Sequence, residues 1–236
     1  MLKTISSPQY NTAMPAIIEL TDVTKTYKLG DETLNAVDDI SLSIQAGDFV
    51  AITGTSGSGK TTLANIIGGL DRPTSGSVIV DGSDLAKLRD QKLSEYRNRH
   101  IGFVFQSFNL QGTQTALENV TLPLIFARQS SKARKARAIE CLQAVGLGDR
   151  LKHQPSQLSG GQRQRVAIAR ALAIKPSIII ADEPTGNLDS ERGEEIMKLL
   201  KDLNKQGITL IIITHDANIA RQADRIIQIH DGKVKA

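Results

Sequence analysis

Apolar and polar residues alternate over Ile17–Tyr27 and again over Ile40–Ile44, the period of half-buried strands. The segment between them, Lys28–Asp39, is polar and carries the turn formers Gly30 and Asp31, which predicts a connection. Phe49–Thr53 is a short apolar run, Leu63–Leu70 a helical stretch, Asp71–Gly76 a loop and Ser77–Val80 a further strand. From about Asp90 to Pro155 the pattern changes. Strand signals are few after Ile101–Phe105, and Ala116–Arg128 and Lys132–Val145 are helical. Ser159–Ala173 predicts another helix and Glu194–Asn204 one more. Ser177–Ala181 and Thr209–Thr214 are apolar without alternation, as in strands buried on both faces of a parallel sheet. Ile226–His230 closes that sheet. Strands alternating with helices, interrupted once by helices alone, indicate an α/β core carrying a helical subdomain inserted at about 107–160. Residues 1–16 read as a disordered lead-in, and 17–236 as one folded domain.

Composition narrows the possibilities. The 236 residues are 40% hydrophobic and 23% charged, enough to bury a core. The net charge of +4 suits a small polyanion, but is too slight and too scattered to indicate nucleic acid. Aromatics at 3%, with no Trp, leave few platforms for stacked bases. The single cysteine, Cys141, has no intramolecular partner and reads as a buried structural thiol, so nothing points to an oxidising compartment. Met1–Pro15 lacks the apolar stretch of a secretory signal, and the longest apolar runs fall far short of the ~18 residues of a membrane span. These features predict a cytoplasmic protein that does not itself enter the membrane.

Gly54, Gly59, Lys60 and Thr61 have the spacing of a phosphate-binding loop between a strand and a helix. Glycines let backbone amides turn inward around a phosphate, and the helix start adds unpaired donors. Thr55, Ser56, Gly57 and Ser58 complete the loop and Thr62 follows it. Lys60 supplies charge to the β and γ oxygens, and the Thr61 hydroxyl suits Mg²⁺. Asp182 and Glu183 end a buried strand, where open α/β sheets place ligands. Asp182 is positioned to hold Mg²⁺ and Glu183 to polarise a water for in-line attack. Leu158, Ser159, Gly160, Gly161 and Gln162 head a second helix and offer a second anion site. One nucleotide has no use for two cradles on one chain, whereas a dimer does.

With these motifs the chain resembles the nucleotide-binding subunits of ABC transporters over about residues 17–235. The resemblance implies a P-loop NTPase (RecA-like) core with an N-terminal antiparallel β subdomain and an inserted α-helical subdomain. It implies ATP and Mg²⁺ as ligands, a second ATP-binding subunit, and transmembrane permease subunits that hold the chain on the inner face of the cell membrane. In that family Tyr27 stacks on adenine, Gln106 senses Mg²⁺ and the permease, Asp189 belongs to a loop bridging the subunits, and His215 contacts the γ-phosphate. Tyr27, Gln106 and His215 each have a plainer alternative: a surface aromatic, a polar residue ending a strand, and a structural histidine. The stretches Asp71–Gly76, Ile101–Gln106, Ala116–Leu124 and Asp182–Asp189 look like the lipoprotein-release and macrolide-export branch. Thr55 stands where many relatives have Pro, and its side chain is not expected in the cradle. A mechanical switch that moves no cargo, and a soluble ATPase of translation or repair, are the alternatives in function.

Overall fold

The structure, a computed structural model, describes residues 16–30 and 32–235. The expected lead-in over 1–16 lies outside these residues except for Ala16, which already belongs to a strand. The chain opens with β1 (Ala16–Leu29) and β2 (Glu32–Gln45), an antiparallel hairpin in which Tyr27 pairs with Leu34. The polar connection expected over Lys28–Asp39 is therefore corrected. Most of it is strand, and its residues Glu32–Asn35 are exposed along the sheet edge, where the polar Glu32, Thr33 and Asn35 stay in water. With β4 (Ser75–Val80) and β5 (Ser83–Asp84), the hairpin forms a four-stranded sheet of order β2-β1-β4-β5.

A second sheet contains β3 (Phe49–Thr53), β6 (Ile101–Phe105), β7 (Ile178–Asp182), β8 (Thr209–Ile213), β9 (Arg225–His230) and β10 (Lys233–Val234), in the order β10-β9-β3-β8-β7-β6. Strands β9, β3, β8, β7 and β6 run parallel, with β10 antiparallel at the edge. Their side chains serve two cores in alternation. Val50, Ile52, Ile178, Ile180, Ile211 and Ile213 face the antiparallel sheet and α1 (Lys60–Ile67). Phe49, Ile179, Ala181, Leu210 and Ile212 face the opposite way, into a cluster shared with the remaining helices. Two-sided burial explains why these strands are unbroken apolar runs.

After α2 (Asp90–His100) and β6 come α3 (Ala116–Phe126), α4 (Ser131–Ala144) and a 3-10 turn over Pro155–Gln157, all preceding α5 (Gly160–Leu172). A buried Asn119 organises the entry to this region. Its side chain accepts from the Gln111 amide at 2.7 Å and donates to the carbonyls of Gln111, Gln114 and Thr115. The chain ends through α6 (Ser190–Lys205) and the short α7 (Ala217–Ala220). No helix among the described residues is long and apolar enough to cross a membrane.

Candidate functional site

Register places four of the candidate segments at one edge of the parallel sheet. Ile52 pairs with Ile213, Asp182 with Ile213, and Phe105 with Asp182, so the residues just beyond these strands leave the sheet side by side. They are Gly54, Gln106, Glu183 and His215. This is the carboxyl edge, where helix starts and strand ends converge on a ligand.

The Gly54–Gly59 loop is moulded around its own backbone. A Cβ on Gly54 would stand 2.2 Å from the Ile229 carbonyl oxygen, and one on Gly59 2.0 Å from that of Ala36. Gly59 is also the α1 N-cap, with φ of +102° and no side-chain cap. The helix begins at Lys60, three residues before the expected Leu63, because the loop's last residues are already its first turn. Ser58 is buried, and its carbonyl accepts from the Gly232 amide at 3.0 Å, bracing the loop from the β9–β10 turn. Thr55, Ser56 and Gly57 are exposed. The Lys60 ammonium spans the loop to the Thr55 carbonyl at 2.6 Å. The Thr61 hydroxyl donates to Asp182 Oδ2 at 3.4 Å, joining cradle to acidic strand end.

Burial pushes the Asp182 carboxyl up from its ordinary range, and the charge of Glu183 adds to this, against Thr61 and Lys60. Glu183 takes a left-handed φ of +46°, sparse ground for a non-glycine residue. That conformation turns its amide to the Ile213 carbonyl at 2.9 Å and its carboxylate toward the end of β8. There Glu183 accepts from Thr214 Oγ1 at 3.3 Å, from the His215 amide at 3.0 Å, and lies 2.6 Å from His215 Nδ1. Glu183 is thus held by its neighbours, while the His215 side chain is 75% exposed. Thr214 was not singled out in the sequence. The signal was there, a polar residue closing an isoleucine run that is fully buried.

Gln106 is exposed beyond β6. Its carbonyl accepts from Asn187 Nδ2 at 2.9 Å, and a Cβ on Gly186 would meet its side-chain nitrogen at 2.7 Å. Tyr27 sits on β1 with its hydroxyl 2.6 Å from Asp71 Oδ2 and beside that of Thr62. Asp189 caps α6 by accepting from the Arg192 amide at 3.0 Å.

Ser159 stands apart from these. It caps α5 in a reciprocal box: Gln162 N donates to Ser159 Oγ at 3.3 Å, and Ser159 N donates to Gln162 Oε1 at 2.9 Å. Gly160 and Gly161 lie against Leu188 and Arg192. Among the described residues no hydrogen bond joins Ser159–Gln162 to Gly54–Thr62. The structure therefore brings together the cradle, Asp182, Glu183, Gln106 and His215, and leaves the second helix start outside that group. Helix α5 does reach other segments. Buried Gln164 donates to the Pro184 carbonyl at 2.7 Å, and Arg170 holds the carbonyls of Phe108 and Asn109. Beside those carbonyls an apolar groove of about 680 Å³ opens between α2 and α3, lined by Leu70, Phe103, Phe105, Leu122, Phe126 and Ile174. Phe126 is 75% exposed, and Arg97, Arg128 and Arg170 edge the groove.

A glycine-rich loop spanned by a lysine, an acid joined to the helix hydroxyl and a carboxylate held at the next position suit nucleotide triphosphate hydrolysis. Comparison with known proteins agrees. The family described as ABC transporter matches residues 37–186. The ABC transporter ATP-binding protein MJ0796 of Methanocaldococcus jannaschii is 54% identical over 224 residues, 93% of this chain and 95% of that protein. The macrolide export ATP-binding/permease protein MacB of Salmonella typhimurium is 52% identical over 221 residues; the match takes in 94% of this chain but 34% of MacB. Among solved structures, the dimeric post-hydrolysis state of the MJ0796 cassette bound to ADP and Pi superposes with a TM-score of 0.86, at 52% identity over 93% of this chain and 97% of that one. Motifs, fold and relatives agree that the chain belongs to the ABC transporter family, as an ATP-binding cassette that hydrolyses ATP.

Proposed function

We propose that the chain works as half of a dimer in which each ATP is sandwiched between the Gly54–Thr62 cradle of one subunit and the Ser159 helix start of the other. ATP binding closes the dimer, hydrolysis reopens it, and the movement drives a separate transmembrane permease that holds the chain at the inner face of the cell membrane. The observation that carries this reading is the separation of two phosphate-type helix starts on one chain. Among the described residues, only the first makes a hydrogen bond to Asp182, and it follows β3, in the sheet whose strand β7 leads into Glu183. At the second, the capping box satisfies the Gln162 amide, leaving the Gly160 and Gly161 amides to meet a partner's γ-phosphate.

Placement and the family resemblance support these roles. Lys60 and the loop amides bind the β- and γ-phosphates, Tyr27 stacks on adenine, and Glu183 takes the proton of the attacking water. The Thr214 hydroxyl and His215 amide orient that carboxylate, and exposed His215 reaches the γ-phosphate. The donor set fits Mg²⁺: Thr61 and Asp182 offer hard oxygens 3.4 Å apart. Water and phosphate oxygens would complete the coordination. Thr61 and Asp182 would hold the ion, with Gln106 beside them, and bound there it neutralises charge on the transferring phosphoryl group. Asp189 belongs to the loop that bridges the subunits. Residues about 107–160 act as a helical subdomain, and the groove between α2 and α3 takes a short apolar helix of the permease.

The test is Ser159→Arg. A guanidinium at the α5 start blocks approach of the partner's γ-phosphate while leaving the chain's own cradle intact. Turnover and ATP-driven dimerisation should be lost while ATP affinity of the single chain is retained. Normal turnover in this variant overturns the two-subunit site.

A further inference from the structure

The aromatic ring assigned to the base is not simply an exposed side chain on a strand. Its hydroxyl donates to Asp71 Oδ2 at 2.6 Å. The other oxygen of that carboxylate accepts from Lys25 Nζ at 2.6 Å and from the Arg72 amide at 2.7 Å. The Lys25 ammonium lies 5.0 Å from the Tyr27 ring centroid, a cation facing the ring, and is also bonded to the Arg72 carbonyl at 2.8 Å. The ring is thus fixed at its hydroxyl end and attended by a cation, yet Tyr27 remains 37% exposed.

The anchor is tied to the phosphate end of the site. Asp71 follows α1, and its amide donates to the Asn65 carbonyl of that helix at 3.2 Å. The same helix begins at Lys60, the end of the cradle. One short helix therefore sets both the phosphate donors and the carboxylate that holds the ring. Burial alone would raise the Asp71 pKa, but Lys25, Tyr27 and the Arg72 amide together bring it below the ordinary carboxylate range, so Asp71 stays an acceptor and the tyrosine must donate.

We propose that Asp71, with Lys25, is a positioning residue that fixes the plane of the Tyr27 ring at a set distance from the phosphate cradle, so that a nucleotide finds its base-stacking surface already in place. The proposal rests on the reading that Tyr27 stacks on adenine. A freely rotating tyrosine would have to be ordered on binding, and pre-ordering removes that loss from the affinity. Asp71 itself touches neither base nor phosphate in this scheme.

The experiment compares two ligands by calorimetric titration with Mg²⁺ present: ATP, and inorganic tripolyphosphate, which has no base. The variants are Tyr27→Ala, Tyr27→Phe, Asp71→Ala and the double variant Tyr27→Phe with Asp71→Ala. Tyr27→Phe keeps the stacking face and removes one hydroxyl, so it stands even if Asp71→Ala folds poorly. Tyr27→Phe and Asp71→Ala should each weaken ATP about three- to tenfold, the effect of one hydrogen bond, and leave tripolyphosphate unchanged. The double variant should lose less than the two single losses summed, because both single losses include the Tyr27–Asp71 contact. If Tyr27→Ala weakens ATP while Tyr27→Phe and Asp71→Ala do not, stacking stands and positioning by Asp71 is overturned. If Asp71→Ala weakens both ligands alike, Asp71 serves only the shape of α1, and the proposal fails. A Tyr27→Ala protein with an unaltered preference for ATP over tripolyphosphate removes the stacking reading itself.

Discussion

Helices α1 and α5 both begin at glycine- and serine-rich segments, and the two starts are built differently. At α1 the N-cap is Gly59 in a left-handed conformation, without a side-chain cap, pressed against the Ala36 carbonyl. At α5 the N-cap is Ser159 in an extended conformation, closed by a reciprocal box with Gln162, and the neighbouring glycines face the side chains of Leu188 and Arg192. The first start leaves its amides uncapped and relies on surrounding backbone to hold its shape. The second stabilises itself and keeps only part of its donor set for a ligand. A glycine-rich helix start is therefore one sequence signal for two physical situations, a start moulded by surrounding backbone and one that caps itself. What separates them is the neighbourhood: β2 and the β9–β10 turn brace α1, and the segment after β7 lies against α5.

The comparison breaks most visibly at Lys60. Lys60→Ala removes the ammonium that spans the α1 cradle, leaving phosphate charge uncompensated, and should lower kcat/KM for ATP about 10³-fold. The chemical denaturation midpoint should hardly move, since the lysine's own bonds are to the loop alone. Wild-type turnover in this variant would remove the α1 start from the mechanism and with it the contrast.

Glu183→Gln comes next. The amide keeps the shape and loses the basic oxygen, so kcat should fall about 10²-fold while ATP binding persists. Because ATP then stays bound, gel filtration with ATP should show two chains together, the α1 start of each closed on the α5 start of the other. Elution as monomer alone would count against the pairing of the two starts.

Glycine substitution sharpens the contrast in stability. Gly59→Ala puts a methyl group against a backbone oxygen in a left-handed conformation and should cost at least about 2 kcal/mol in urea denaturation. Gly161→Ala meets Arg192 Cδ at 3.3 Å, the stem of a flexible side chain, inside a helix where Ala is favoured by about 1 kcal/mol, so the midpoint should stay level or rise. Equal losses at the two positions would mean that both starts are moulded alike.

These differences also mark how far the sequence could be read. Strands buried on both faces stood out almost to the residue: Ser177–Ala181 was expected where β7 covers Ile178–Asp182, and Thr209–Thr214 where β8 covers Thr209–Ile213. Long β-branched runs allow few alternatives. The first residues of β2 were missed because an exposed edge strand shows no apolar period, and its hydrogen bonds to β1 leave no mark on side-chain chemistry. The apolar period of helix α6 shows only from Glu194, whereas the helix begins at Ser190 with Asp189 as its N-cap, because its first residues are polar and exposed. The site motifs were legible because their residue types and spacing are dictated by phosphate chemistry. The braces at Ala36, Ile229 and Gly232, and the Thr214 contact to Glu183, were not, since each joins segments far apart in the chain.

The smallest effect is also the most direct measure of the self-capped start. Ser159→Ala deletes the oxygen that accepts from the Gln162 amide and leaves the Gln162 side chain capping alone. Loss of a serine N-cap costs about 1 kcal/mol, and the urea midpoint of the nucleotide-free chain should shift accordingly. Alanine is smaller than serine, so this variant does not obstruct a partner as Ser159→Arg does, and it reports on the cap without steric confusion. ATP affinity of the isolated chain should be unchanged, because no hydrogen bond among the described residues links this helix start to the cradle. An unmoved midpoint would show that the box contributes nothing and that Ser159 is held for the ligand alone. A fall in single-chain ATP affinity would show instead that the two helix starts communicate within one subunit, and the contrast drawn between them would need a physical link that the hydrogen bonds do not supply.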